Sequence, residues 1–74
     1  MSNGMRVLLQ DRNSLRYFKW GQEWVLDSRM ATDFSSTSRA LHSAAGHRHL
    51  PLDIVLKFND SRYDLRISIP QRPG

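Results

Sequence analysis

Cysteine is absent from this chain, so no disulfide can staple a core that 74 residues keep small. A domain of that length buries only about 60% of the surface its unfolded chain exposes. Missing cysteine is compatible with a cytosolic setting and excludes no compartment. No apolar run approaches the roughly 20 residues needed to span a bilayer. Met1-Ser2-Asn3-Gly4 does not read as a signal peptide, so the expectation is a cytoplasmic protein without membrane association. The four glycines are scattered, which leaves no glycine-rich phosphate loop, and the chain contains no internal repeat or low-complexity linker. Acidic residues are also few, 7 against 11 Lys and Arg, giving a net charge of +4. The basic residues are spread along the chain and form no run, so they permit nucleic-acid or anionic contacts without pointing to them.

What is present is short-period apolar patterning on either side of one helical stretch. Met5–Gln10 reads as a strand closed by the turn formers Asp11-Arg12-Asn13-Ser14. Leu15–Trp20 reads as the aromatic return strand, and Gly21-Gln22 reverses the chain into a short strand, Glu23–Leu26. Leu52–Phe58 and Tyr63–Ile69 alternate apolar and polar residues around the turn Asn59-Asp60-Ser61-Arg62, predicting a second hairpin bounded by Pro51 and Pro70.

Between the hairpins, Ser36 is placed to cap a helix running from about Thr37 to Ala45. Arg39 stands where a capping box would have Glu or Gln. Gly46 is suited to a left-handed closure, with the basic residues His47 and Arg48 at the favoured end of the helix dipole. The buried stripe of this helix is Thr37, Ala40, Leu41 and Ala44, with Ala45 beside it and Phe34 packing beneath its N-terminus. The fold class that follows is α+β: a mainly antiparallel sheet of four to five strands with one helix packed on one face, in the order β-β-(β)-α-β-β. A single domain spans 1–74, with loose ends at 1–4 and 71–74. Its expected core is Val7, Leu9, Tyr17, Trp24, Phe34, Ala40, Leu41, Ala44, Ile54, Leu56, Leu65 and Ile67.

The pattern Leu8-Leu9-x-Asp11, Tyr17, Trp24, Asp27, Ala31-x-x-Phe34-x-Ser36-x-x-x-Ala40 and Leu50-Pro51-Leu52-Asp53-Ile54-Val55-Leu56 resembles a group of very short bacterial proteins of unassigned function. The resemblance covers residues 5 to 58 and runs through core, cap and turn positions. It implies a small strand-helix-strand domain and carries over no activity and no site residue. Arg39 departs from the acidic residue expected there, which bears on the cap alone.

Few residues invite chemistry. His42, His47 and His49 are a ligand type for zinc, copper or nickel, yet a closed structural zinc site takes four ligands and usually cysteine, so a polar helix end is the better reading. Ser35, Ser36, Ser38 and Ser43 include no nucleophile elbow, and Ser36 is explained by capping. Asp11, Asp27, Asp33, Asp53, Asp60 and Asp64 occupy turns, caps or solvated strand positions. The expectation is therefore a non-enzymatic protein with no catalytic, cofactor or metal residues.

The leading candidate is a surface on the sheet face away from the helix, bearing Arg6, Arg16, Phe18, Trp20, Lys57 and Arg66, with Leu8 among them. Aromatic and arginine side chains concentrate binding energy at protein contacts, and an unpaired strand edge can recruit a partner strand or a second copy. A protein-interaction module, binding an unknown protein or itself, is thus the first reading. Single-stranded nucleic-acid binding is the second, since arginines meet phosphates while aromatics stack on bases.

Overall fold

A computed structural model describes residues 4–47 and 49–70. Of the expected loose ends 1–4 and 71–74, all but Gly4 lie outside the described residues, as does Arg48. The five strands are β1 (Arg6–Asp11), β2 (Tyr17–Lys19), β3 (Glu23–Val25), β4 (Leu52–Lys57) and β5 (Leu65–Ser68), and the helix α1 is Thr37–Ala44. They form one antiparallel sheet in the order β3-β2-β1-β4-β5, with the helix on one side, which is the α+β arrangement the patterning predicts.

The centre of the sheet is the β1–β4 ladder, in register from Arg6 opposite Lys57 to Asp11 opposite Leu52. This pairing puts Val7 and Leu9 beside Leu56 and Ile54 on the helix side, because alternate residues of a strand face opposite ways. On its other edge β1 meets β2 only near Gln10 and Tyr17. Further along, the chain at Asp33 and Phe34 takes the place of β2. The Val7 N–H donates to Asp33 Oδ1 at 3.0 Å, and the Phe34 N–H donates to the Val7 carbonyl at 2.8 Å. These bonds satisfy a length of edge that a diverging strand would leave bare.

The helix starts where the cap was expected: Ser36 is extended and its Oγ accepts from the Arg39 N–H at 3.2 Å. Its end differs. Gly46 is not left-handed; the chain tightens instead into a 3-10 turn over Ala45–His47. Only the small faces of Ala40 and Ala44 are fully buried, so the helix lies close over β1 and β4. The core joins them to Val7, Leu9, Phe18, Phe34, Leu52 and Ile54.

Four expected core residues fall elsewhere. Leu41, Leu65 and Ile67 are 49%, 56% and 45% exposed, because an eight-residue helix seated over the central strands does not extend across β5. Tyr17 pairs with Gln10 and so belongs to the opposite face. Trp24 and Leu56 pack against the core while half-buried.

Two 3-10 turns share one construction. In Asp27-Ser28-Arg29 and in Asp60-Ser61-Arg62 the aspartate caps the turn by accepting from the backbone N–H of the arginine, at 2.9 and 3.0 Å. Each guanidinium then folds back onto the same carboxylate. The arginine hydrogen bonds hold both carboxyls below the usual carboxylate range.

Candidate interaction surface

The six surface candidates do not share one face. Phe18 is a correction: it lies on the helix side, 1% exposed, at the hub of an aromatic cluster. Its ring centroid is 5.5 Å from Trp24, 5.6 Å from Trp20, 5.9 Å from Phe34 and 5.6 Å from the His47 imidazole. The pairing of Gln10 with Tyr17 sets this phase, turning Tyr17 and Lys19 outward and Phe18 inward. A shift of one residue in register inverts every side chain of a strand, and the left-handed Leu15 (φ 63°) in the preceding turn sits where that shift is made.

Arg6, Lys57 and Arg66 are on the face away from the helix, and Arg16 is exposed in the turn before β2. That face is closed at its centre. Leu8, Gln10, Asp53 and Val55 are 0 to 3% exposed although no helix covers them. The long polar side chains of this face are engaged within the fold. Arg12 Nη1 donates to Asp53 Oδ1 at 2.6 Å, Arg66 donates to Gln10 Oε1 and stands 3.7 Å from Asp53, and Gln10 Nε2 donates to the Leu15 carbonyl at 3.0 Å. Arg6 reaches across to the Ser28 carbonyl at 3.0 Å, and Lys57 pairs with Asp64 at 2.9 Å. The Phe58 N–H and Lys57 together hold the Asp64 carboxyl below its usual range. The charges of this face thus meet acceptors within the fold.

Trp20 behaves differently. It is 63% exposed, and on the helix side its ring lies 5.4 Å from Phe34 and 5.6 Å from Phe18, both nearly edge to face. Its backbone N–H donates to Thr32 Oγ1 at 2.8 Å. Beside it runs an open cavity of about 530 Å³ between the loop and the helix, floored by Phe34 and rimmed by Arg39 and His42. Cavities of this size accommodate a side chain or a small ligand.

Ser38, Ser43 and Asp33 also line this cavity, yet they form no relay. Among the described residues no hydrogen bond joins either serine to His42, and Asp33 Oδ1 is engaged by the N–H groups of Val7 and Ser35. The histidines are dispersed too. His42 is at the cavity rim, whereas His47 stacks within the aromatic cluster, 5.9 Å from Trp24 and 6.2 Å from His49. Among the described residues no group of three His, Cys, Asp or Glu is placed to hold a metal ion. No helix among them is long and apolar enough to cross a membrane.

Two features escape the alternation argument. One is the closed second face; its signal is the unbroken run Val7-Leu8-Leu9 and the pair Ile54-Val55, since a strand apolar on both sides is buried on both. The other is the bare edge at β5, whose alternation reads the same whether or not a helix reaches it. Set against protein-family models, curated proteins and solved structures, the chain matches none of them.

Proposed function

We propose that this chain is a non-enzymatic protein-interaction module that presents Trp20 to its partner. The observation that carries the reading is the exposed indole beside an apolar cavity, braced on Phe18 and Phe34. A tryptophan already held in place loses little freedom on binding, and such anchors concentrate interface energy. Arg39 and His42 on the rim supply polar contacts around that anchor.

The nucleic-acid reading ranks below it. A strand-binding surface needs cations and exposed aromatics side by side. Here Arg39 is the one Lys or Arg lining the cavity beside Trp20, while Arg6, Lys57 and Arg66 lie on the opposite face and are already engaged by Ser28, Asp64, Gln10 and Asp53.

The immobilised chain and its Trp20→Ala variant test the proposal on a cell extract, with single-stranded oligonucleotide measured in parallel. A captured protein that is retained at high salt and lost with Trp20→Ala, while the variant melts as the parent does, is the expected result. Oligonucleotide binding that falls steeply with salt and survives Trp20→Ala would replace the protein reading with the phosphate one.

A further inference from the structure

We propose that β5 is the contact edge of a symmetric homodimer, in which two copies pair antiparallel about Ile67 to make one continuous ten-stranded sheet. The inference concerns the end of the sheet away from Trp20 and stands apart from the partner proposed for that residue.

β5 is the last strand of the sheet, and all four of its residues are exposed. Its register sets Leu65 beside Leu56 and Ile67 beside Ile54, so both point to the helix side, where α1 does not cover them. Leu41, 49% exposed, is on the flank of α1 opposite Ser43, which lines the Trp20 cavity. An apolar strip with an unpaired ladder beside it is a surface prepared for another strand.

The backbone phase of that ladder is fixed. The Ile69 N–H donates to the Leu52 carbonyl at 2.9 Å, which makes Leu65, Ile67 and Ile69 the residues that bond inward to β4. Arg66 and Ser68 therefore turn their N–H and C=O groups outward.

A second copy fits this edge in one register. Matching helix side to helix side pairs odd residues with odd, which leaves twofold axes through residues 65 to 68. An axis at Arg66 sets two guanidinium groups opposite each other, and like charges directly across a ladder are unfavourable. An axis at Leu65 drives the pairing into the 3-10 turn Ser61–Tyr63. An axis at Ser68 lays Arg66 against the partner's Pro70, which has no N–H to give.

The axis at Ile67 keeps the guanidinium groups out of direct opposition and the 3-10 turn out of the ladder, and it meets Pro70 only beyond the strand, opposite Asp64. Ile67 meets the partner's Ile67, Leu65 meets the partner's Ile69, and Arg66 exchanges two hydrogen bonds with the partner's Ser68, twice over by symmetry. Arg66 keeps its contacts with Gln10 and Asp53 on the other face. The apolar strip becomes a continuous stripe of six side chains across the axis, with Leu41 of each helix alongside.

The absence of native cysteine makes the test clean. Across a non-hydrogen-bonded antiparallel pair the Cα atoms are about 4.5 Å apart, inside the roughly 4.4–6.8 Å range of a disulfide. Sedimentation of the full chain over a concentration series is expected to reach twice the monomer mass. Oxidised Ile67→Cys should give a covalent dimer. Leu65→Cys and Ile69→Cys should each fail alone yet cross-link when mixed, and Ile67→Lys should stay monomeric with its fold retained. A chain that remains monomeric at the highest soluble concentration overturns the proposal, as do thiols at 65 and 67 that cross-link equally fast. Protection of β5 that arises only on adding a different protein would also overturn it, in favour of a foreign strand. Trp20→Ala should leave the dimer mass unchanged, which separates this failure from failure of the Trp20 reading.

Discussion

At one edge of the sheet β3 is three residues long, carries the exposed carboxylate of Glu23, and gives way to a segment that returns to pair with β1 at Val7. At the other edge β5 presents Leu65 and Ile67 half-exposed on the helix side and its Arg66 and Ser68 peptide groups outward. Shortness and charge are the ordinary protections of a strand edge, and the first edge has both. The second is four residues long with Pro70 just beyond it, and its one charge, Arg66, is turned to the opposite face toward Gln10 and Asp53. The difference teaches where the aromatic residues went. Phe18, Trp20, Trp24 and Phe34 are gathered at the β2–β3 end, which closes that end and leaves one indole outside. β5 itself carries the aliphatic Leu65 and Ile67, which α1 does not cover, with Tyr63 exposed in the turn before them.

Truncating the hub of the closed end should have the largest effect. Phe18→Ala removes contacts to two tryptophans and Phe34, and is expected to destabilise by about 3–5 kcal/mol. That is a large fraction of the roughly 4–11 kcal/mol expected for a domain of this length, so the variant should melt well below the parent by circular dichroism. Ile67→Ala at the bare edge should cost the monomer about 1 kcal/mol or less, as surface changes do.

Asp53→Ala separates two magnitudes. Removing one partner of a buried pair costs about 3–5 kcal/mol when the other charge is trapped. Arg12 and Arg66 have side chains 37% and 50% exposed, so they can turn to water, and a loss of about 1–3 kcal/mol is expected in urea unfolding. Ser36→Ala should follow at about 1 kcal/mol, the usual loss for an N-cap, with Ser36→Gly milder.

The smallest effect is that of acid. The folded Asp64 carboxyl titrates below its unfolded value, so its contribution is complete above the unfolded pKa and is lost as pH falls through the folded one. Melting temperatures should therefore decline below about pH 4, and Asp64→Asn should flatten part of that decline. An unchanged slope would show that the Phe58 N–H and Lys57 contacts contribute nothing to stability.

Much of the fold was legible because local rules acted alone. The second hairpin followed from alternation, the helix start from Ser36, and the position of Phe34 from its place before the cap. Asp-Ser-Arg, twice in the chain, built the same capped turn twice. Reading failed where a long-range choice decided the outcome. Phe18 and Tyr17 exchanged faces because a left-handed Leu15 shifts the phase of β2 by one residue, and leucine carries no mark of that conformation. Leu41, Leu65 and Ile67 were assigned to the core because periodicity tells which face a residue takes and not how far a helix extends. Of the candidate surface, Trp20 alone emerged as an exposed aromatic anchor; Arg6, Lys57 and Arg66 are engaged by acceptors on the opposite face, and Arg16 is exposed in a turn.

Amide hydrogen exchange read against protein concentration addresses the unequal edges most directly. If β5 pairs with its own copy, the Arg66 and Ser68 amides should exchange fast in dilute solution and become protected together as concentration rises, while Ile67, already bonded to Ile54, stays protected throughout. Arg66 and Ser68 amides that exchange at the same fast rate at every concentration would contradict the account.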